Sequence, residues 1–159
     1  MQACDLIDAS CDQLGKRFLS DRQPPSLTDT ELKKTNQVDS KDEEILPNTL
    51  CRLVRPGIAR LVLEEDKAVV YHCADNSRVF QGNPISPLEF EMDDGPALEQ
   101  LLTTTEPEWI MVNDLMHDTI EDKVGVAGSL YDEGILAIHN PSEDDEGEEF
   151  MLKLPNAGK

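Results

Sequence analysis

Three histidines, His72, His117 and His139, and four cysteines, Cys4, Cys11, Cys51 and Cys73, are the side chains with the widest chemical reach in this chain. A facial iron centre takes two histidines and one carboxylate, leaving its other positions to reactants. On a strand, His-x-Asp supplies two of those ligands, because side chains two residues apart point the same way. The chain has no His-x-Asp and no His-x-Glu pair. Its nearest approach is His72-Cys73-Ala74-Asp75, and residues three apart on a strand face opposite ways, so the two cannot chelate unless the strand breaks between them. The expectation is a His72 satisfied within a sheet, with His117 in a loop and His139 at a strand end as surface histidines. The cysteines form no Cys-x-x-Cys pair, so a four-cysteine zinc site lacks the usual spacing, and reduced thiols in an intracellular compartment fit better.

Other catalytic patterns are missing too. The sequence has no G-x-S-x-G, Walker loop or G-x-G-x-x-G; Gly125 and Gly128 fall in a helical pattern, where they are expected to permit close packing. Acid–base carboxylate pairs need a concave pocket and substrate-holding aromatics, and one Trp and two Tyr supply few. The 33 acidic residues against 14 basic ones give a net charge of −19, which repels nucleic acid and favours a basic partner. Asp5 and Asp8 interrupt the N-terminal apolar residues, so no secretory signal is read there, and no apolar run approaches the roughly 20 residues of a membrane span.

The elements that position these residues follow from spacing. Ala3, Ile7, Cys11, Leu14 and Phe18 recur at steps of three and four, predicting an amphipathic helix over 3–21 that Pro24 and Pro25 end. Its stripe packs either on its own domain or on a partner helix. Thr28 and Glu31 have capping-box spacing for a second short helix, and the polar stretch TNQVDSKDEE over 35–44 reads as a linker. From Leu50, three β-rich runs (CRLVR, Ile58 to Leu63, Ala68 to Cys73) read as an antiparallel meander closed by 76–80, with a further turn at Asn83-Pro84. Then come helix signals at Asp94-Gly95-Pro96, an apolar run Trp109 to Val112, a short helix capped by Asn113 or Asp114, and a helix over Glu121 to Glu133 with Val124, Ala127, Leu130 and Tyr131 on one face. Gly134 is placed to end that helix before a strand, Ile135 to His139. Helix, short strand, two helices and strand is the order of a winged helix. The acidic run Glu143 to Glu149 and the apolar Phe150 to Leu154 form either a disordered tail or a second wing strand with an acidic loop tip.

The segments DQLGKRFLSDRQPPSLTD (12–29), GIARLVLEEDKAVVYHCADNSRVF (57–80), PLEFEMDDGPALEQLL (87–102) and EDKVGVAGSLYDEGIL (121–136) resemble, in order, the C-terminal portion of the JmjC ribosomal oxygenases, the bifunctional lysine-specific demethylases and histidyl hydroxylases. The resemblance covers nearly the whole chain. It implies an α+β fold with a helical dimerisation segment over 1–34, a polar linker over 35–49, a β-rich segment over 50–87 and a winged-helix domain over 88–159. It also implies that Fe(II) and 2-oxoglutarate belong to a full-length parent, that this chain holds no cofactor and does not turn over alone, and that it resides in the nucleus or nucleolus. By the same resemblance the chain begins inside the helical segment. The interface expected of the helical segment is Ile7, Cys11, Leu14 and Phe18.

Lys123 is the single Lys or Arg across 88–139, so the winged helix is not expected to bind DNA. The expected partners are a second copy of the chain and a basic ribosomal or histone protein, with no membrane. Two alternatives stand beside this reading: an independent acidic protein-binding module, and a non-catalytic partner that pairs with a full-length family member.

Overall fold

The computed structural model describes residues 3–35, 43–79 and 86–141. Helix α1 spans Ala3–Asp21, as the three-and-four spacing of its apolar residues requires. Helix α2 is a single turn, Asp29–Leu32. Its capping box is complete: the Glu31 amide donates to the Thr28 hydroxyl, and the Thr28 amide donates to the Glu31 carboxylate at 2.6 Å. Six strands follow: β1 (Leu50–Leu53), β2 (Ala59–Glu64), β3 (Lys67–His72), β4 (Leu88–Glu91), β5 (Ile110–Met111) and β6 (Leu136–His139). Helices α3 (Gly95–Thr103) and α4 (Ile120–Asp132) flank β5, and a single 3-10 turn, Val112–Asp114, stands where a capped short helix is predicted.

The strands form two antiparallel three-stranded sheets, β2-β3-β4 and β5-β1-β6. This divides the predicted meander. Strand β1 leaves it to pair with β5 (Cys51 opposite Ile110) and β6 (Leu53 opposite Leu136). Leu88–Glu91, rather than 76–80, is the third strand beside β3, with Phe90 opposite Ala68. Strand pairing therefore crosses the 87/88 boundary in both sheets. Long-range pairing of this kind is invisible to local periodicity, because Cys51 and Leu53 read the same way whichever strand lies beside them. The Asn83-Pro84 turn and the tail from Glu143 to Leu154 lie outside the described residues.

One continuous core fills the space between the sheets and helices α3 and α4, with Ile58, Leu98, Leu101, Leu130, Ile135 and Leu136 fully buried. Helix α4 buries Val126, Ala127, Leu130 and Tyr131, while Val124 only packs against the edge. Its start is capped by the Thr119 hydroxyl, which accepts from the Asp122 amide. It ends at Gly134, whose φ of +70° is the left-handed turn that an L side chain resists. Gly125 and Gly128 correct an expectation: a Cβ added to either meets nothing within 4 Å, so close packing does not require them.

Candidate functional site

The three histidines occupy separate places. His72 ends β3 with its side chain 1 % exposed, and neither ring nitrogen has a hydrogen-bond partner among the described residues. The strand breaks immediately after it, and Asp75 turns back to put Oδ1 at 3.5 Å from Nδ1. The predicted sheet-satisfied imidazole is thus buried but not hydrogen-bonded. His117 is no surface residue either: its side chain is 11 % exposed and ties the starts of α3 and α4 together. Its Nδ1 accepts from the Asp118 amide at 2.9 Å, which leaves the proton on Nε2 to be donated to Asp94 Oδ1 at 3.0 Å. His139 is half-buried beside the Trp109 ring, with centroids 6.3 Å apart. Among the described residues no three His, Cys, Asp or Glu side chains stand around a common point where an ion could sit. The described histidines and carboxylates therefore do not supply the two-histidine, one-carboxylate set of a facial iron centre. The buried thiols are equally unreactive in form, burial pushing Cys51 up to about 12 and Cys73 upward as well.

The surface that stands out instead is α1. Its inner side docks on the β2–β3 hairpin through polar clamps. Lys16 pairs with Glu64, which also accepts from the Tyr71 hydroxyl at 2.9 Å; the mutual hydrogen bond raises Lys16 and lowers Glu64 from their ordinary pKa values. Arg60 donates twice to Asp12 Oδ1, at 2.8 and 3.1 Å. Gly15 allows that approach, since a Cβ there would stand 2.7 Å from Arg60 Cδ. The helix end is held by Asn76, whose side-chain amide donates to the carbonyls of Leu19 at 2.6 Å and Arg22 at 2.7 Å. Two of the sequence segments that carry the resemblance, around Lys16 to Leu19 and Ala74 to Ser77, meet here. Among the α1 side chains described, Leu19 is the one apolar residue that is buried.

The outer side is the opposite. Ile7 is 62 %, Leu14 71 % and Phe18 60 % exposed, and Cys11 is exposed between them. A shallow, mostly apolar groove is lined by Ile7, Ser10, Cys11 and Leu14. All of 7–11 is exposed. The four residues predicted as an interface therefore share one uncovered helix face. Phe18 carries the Arg22 guanidinium at 5.6 Å from its ring centre.

The charge pattern on the other half of the molecule is distinct. The Lys123 ammonium is committed to the Asn113 carbonyl at 2.7 Å, and Glu121 and Asp122 stand in the first turn of the same helix, α4.

Helix α3, strand β5, the 3-10 turn, helix α4 and strand β6, closed over a three-stranded antiparallel sheet, define a winged-helix domain within an α+β chain. The family model described as the C-terminal winged helix domain of ribosomal oxygenase 1 matches residues 20–142, and the chain belongs to that family. It is 31 % identical over 150 residues to a Branchiostoma floridae protein named bifunctional lysine-specific demethylase and histidyl-hydroxylase NO66, across 87 % of this chain and 24 % of that protein. A Dictyostelium discoideum protein of the same name is 33 % identical over 132 residues, across 82 % of this chain and 25 % of the relative. Human ribosomal oxygenase 1 is 32 % identical over 145 residues, across 85 % and 22 %. The chain thus spans about a quarter of the length of these relatives.

Proposed function

We propose that this chain is the dimerisation and winged-helix part of an Fe(II)- and 2-oxoglutarate-dependent oxygenase that acts on ribosomal-protein histidines or histone lysines, and that its own contribution is assembly rather than oxidation. The observation that carries the reading is the uncovered face of α1. Three large apolar side chains of that helix lie 60–71 % exposed, and every residue from 7 to 11 is exposed. Helices in proteins draw most of their stability from packing of an amphipathic face, so covering this stripe adds order. A second copy supplies a matching stripe, so Ile7, Cys11, Leu14 and Phe18 of two protomers form a self-complementary seam.

The net charge of −19 supports a second element of the reading, a basic ribosomal or histone protein as the further partner in the nucleus or nucleolus. The same charge, with Lys123, the single Lys or Arg of 88–139, occupied, opposes duplex DNA. Sedimentation equilibrium of the purified chain tests the first part, with a dimer mass expected and a monomer at tens of micromolar refuting it. Incubation with Fe(II), 2-oxoglutarate and a histidine-bearing ribosomal peptide tests the second: no 2-oxoglutarate consumption above background is expected, and turnover refutes a purely assembling role.

A further inference from the structure

We infer that the pocket between α2, β1 and β6 is a binding site for one oxyanion, a carboxylate or phosphate group, held by Arg52 and Lys34. The pocket measures about 260 Å³ and is lined by Thr28, Glu31, Lys34, Arg52, Glu106 and Ala137, among others. Arg52 lies opposite Ala137 across the β1–β6 pair, and that small side chain leaves the space open in front of it.

Two arginines near this pocket meet carboxylates very differently. Arg55 grips Glu31 with two hydrogen bonds of 2.8 Å each, a bidentate pair that leaves neither group needing another partner. Arg52 has no such bond. Its side chain is 12 % exposed, and its one acidic neighbour, Glu106, is 78 % exposed and stands 3.7 Å away at the rim. Among the described residues the Arg52 guanidinium donates no hydrogen bond to any acceptor, nor does the Lys34 ammonium. Both cations instead lean on the Trp109 ring, at 4.3 and 5.4 Å from its centre.

A largely desolvated guanidinium with unused donors is costly unless an anion meets it. Stacking on an indole fixes the plane of the guanidinium, so its fork is already oriented for a bidentate oxyanion, and Lys34 adds a second charge. With Glu31 neutralised by Arg55, Lys34 and Arg52 outnumber Glu106, so the pocket keeps a local excess of positive charge in a chain of net charge −19. That surrounding field repels a polyanion and admits a group carrying one or two charges. The volume agrees, being smaller than the roughly 300–1,000 Å³ of sites that enclose a drug-sized ligand. The site is independent of the α1 seam and of any oxygenase chemistry.

Trp109 is the single tryptophan of the chain and reports on the pocket through the two cations that lie against its ring. Its emission is titrated with sodium phosphate and, separately, with sodium acetate, each at ionic strength held constant with sodium chloride. The expected result is a saturable change with a Kd on the order of 1 mM, the strength of one charge-assisted contact set. A response to phosphate alone assigns a phosphate-bearing ligand, and one to acetate as well assigns any oxyanion. Lys34→Gln, a change at a partly exposed side chain, is expected to weaken binding about tenfold by removing one of two charges, and Arg52→Gln to abolish it. A change that follows ionic strength whatever the anion, or a Kd unaltered by Lys34→Gln, overturns the assignment.

Discussion

Replacing Phe18 with aspartate separates assembly from folding. The Phe18 side chain is 60 % exposed in the single chain, so a seam covering it removes about three fifths of its surface from water. Full burial of such a side chain is worth about 1.5–3 kcal/mol, which scales here to about 1–2 kcal/mol per protomer and about 2–4 kcal/mol for both copies in a two-fold interface. A carboxylate forced into the apolar seam adds a desolvation cost, so the expected loss is at least about 3 kcal/mol, roughly a hundredfold or more in the dimer Kd. The fold of each protomer loses little, since Phe18 touches chiefly the Arg22 guanidinium, an exposed contact worth about 0.5–1 kcal/mol. Sedimentation velocity across a concentration series reads the first effect and chemical denaturation of dilute protein reads the second. A variant that self-associates within threefold of the parent chain refutes the seam; so does one whose loss of association is matched by unfolding at every concentration.

Further consequences follow from single residues. Gly125→Ala is expected to stabilise the protein by about 0.5–1 kcal/mol, because the glycine is an exposed interior helix position where a Cβ meets nothing; a lowered denaturation midpoint contradicts the free space described there. Glu31 is held at about 2 against an ordinary 4.5, chiefly by its Arg55 hydrogen bonds. Its folded pKa is the lower one, so its stabilising contribution is complete above 4.5 and fades as the pH falls toward 2. Carboxyl NMR should place its midpoint near the lower value, and Glu31→Gln should flatten the acid side of the stability curve; an ordinary midpoint removes the ion pair from the account. Among the described cysteines, Cys11 should take a thiol reagent readily at low protein concentration and slowly in the dimer, whereas Cys51 and Cys73 should react only on unfolding. Fast labelling of Cys51 in the folded protein contradicts its burial.

Much of the fold was legible because its signals are local. The α1 stripe, the Thr28–Glu31 capping box and the Gly134 stop are each set by neighbours within four residues, and each stands in place. Strand β4 was legible in principle and missed: Leu88-Glu89-Phe90-Glu91 alternates with a period of two, but the helix signals just after it dominated the reading. The placement of β1 could not be read locally, since only partners some 60 and 85 residues later distinguish it from a meander strand. That Ile7, Cys11, Leu14 and Phe18 share one face was legible from their spacing, whereas their exposure was not, since the same stripe could have packed on its own domain. The oxyanion pocket was not, because Lys34, Arg52, Trp109 and Ala137 come from four separate segments and no spacing links them. His117 escaped as well; its fixed position depends on Asp94, an element away.

The central place of β1 bears on how this winged helix can be handled as an object. Strands β5 and β6 do not pair with each other; each pairs with β1, the strand that comes from before α3. A piece cut to begin at residue 88 would keep both helices and lose the strip that joins the two outer strands, leaving backbone donors and acceptors open on both. Such a piece has a ready vacancy for a foreign strand and would be drawn toward aggregation or strand exchange. A piece that keeps this sheet whole must reach back through Leu50, and it then carries the β2–β3 hairpin, which β4 joins to the helices that follow.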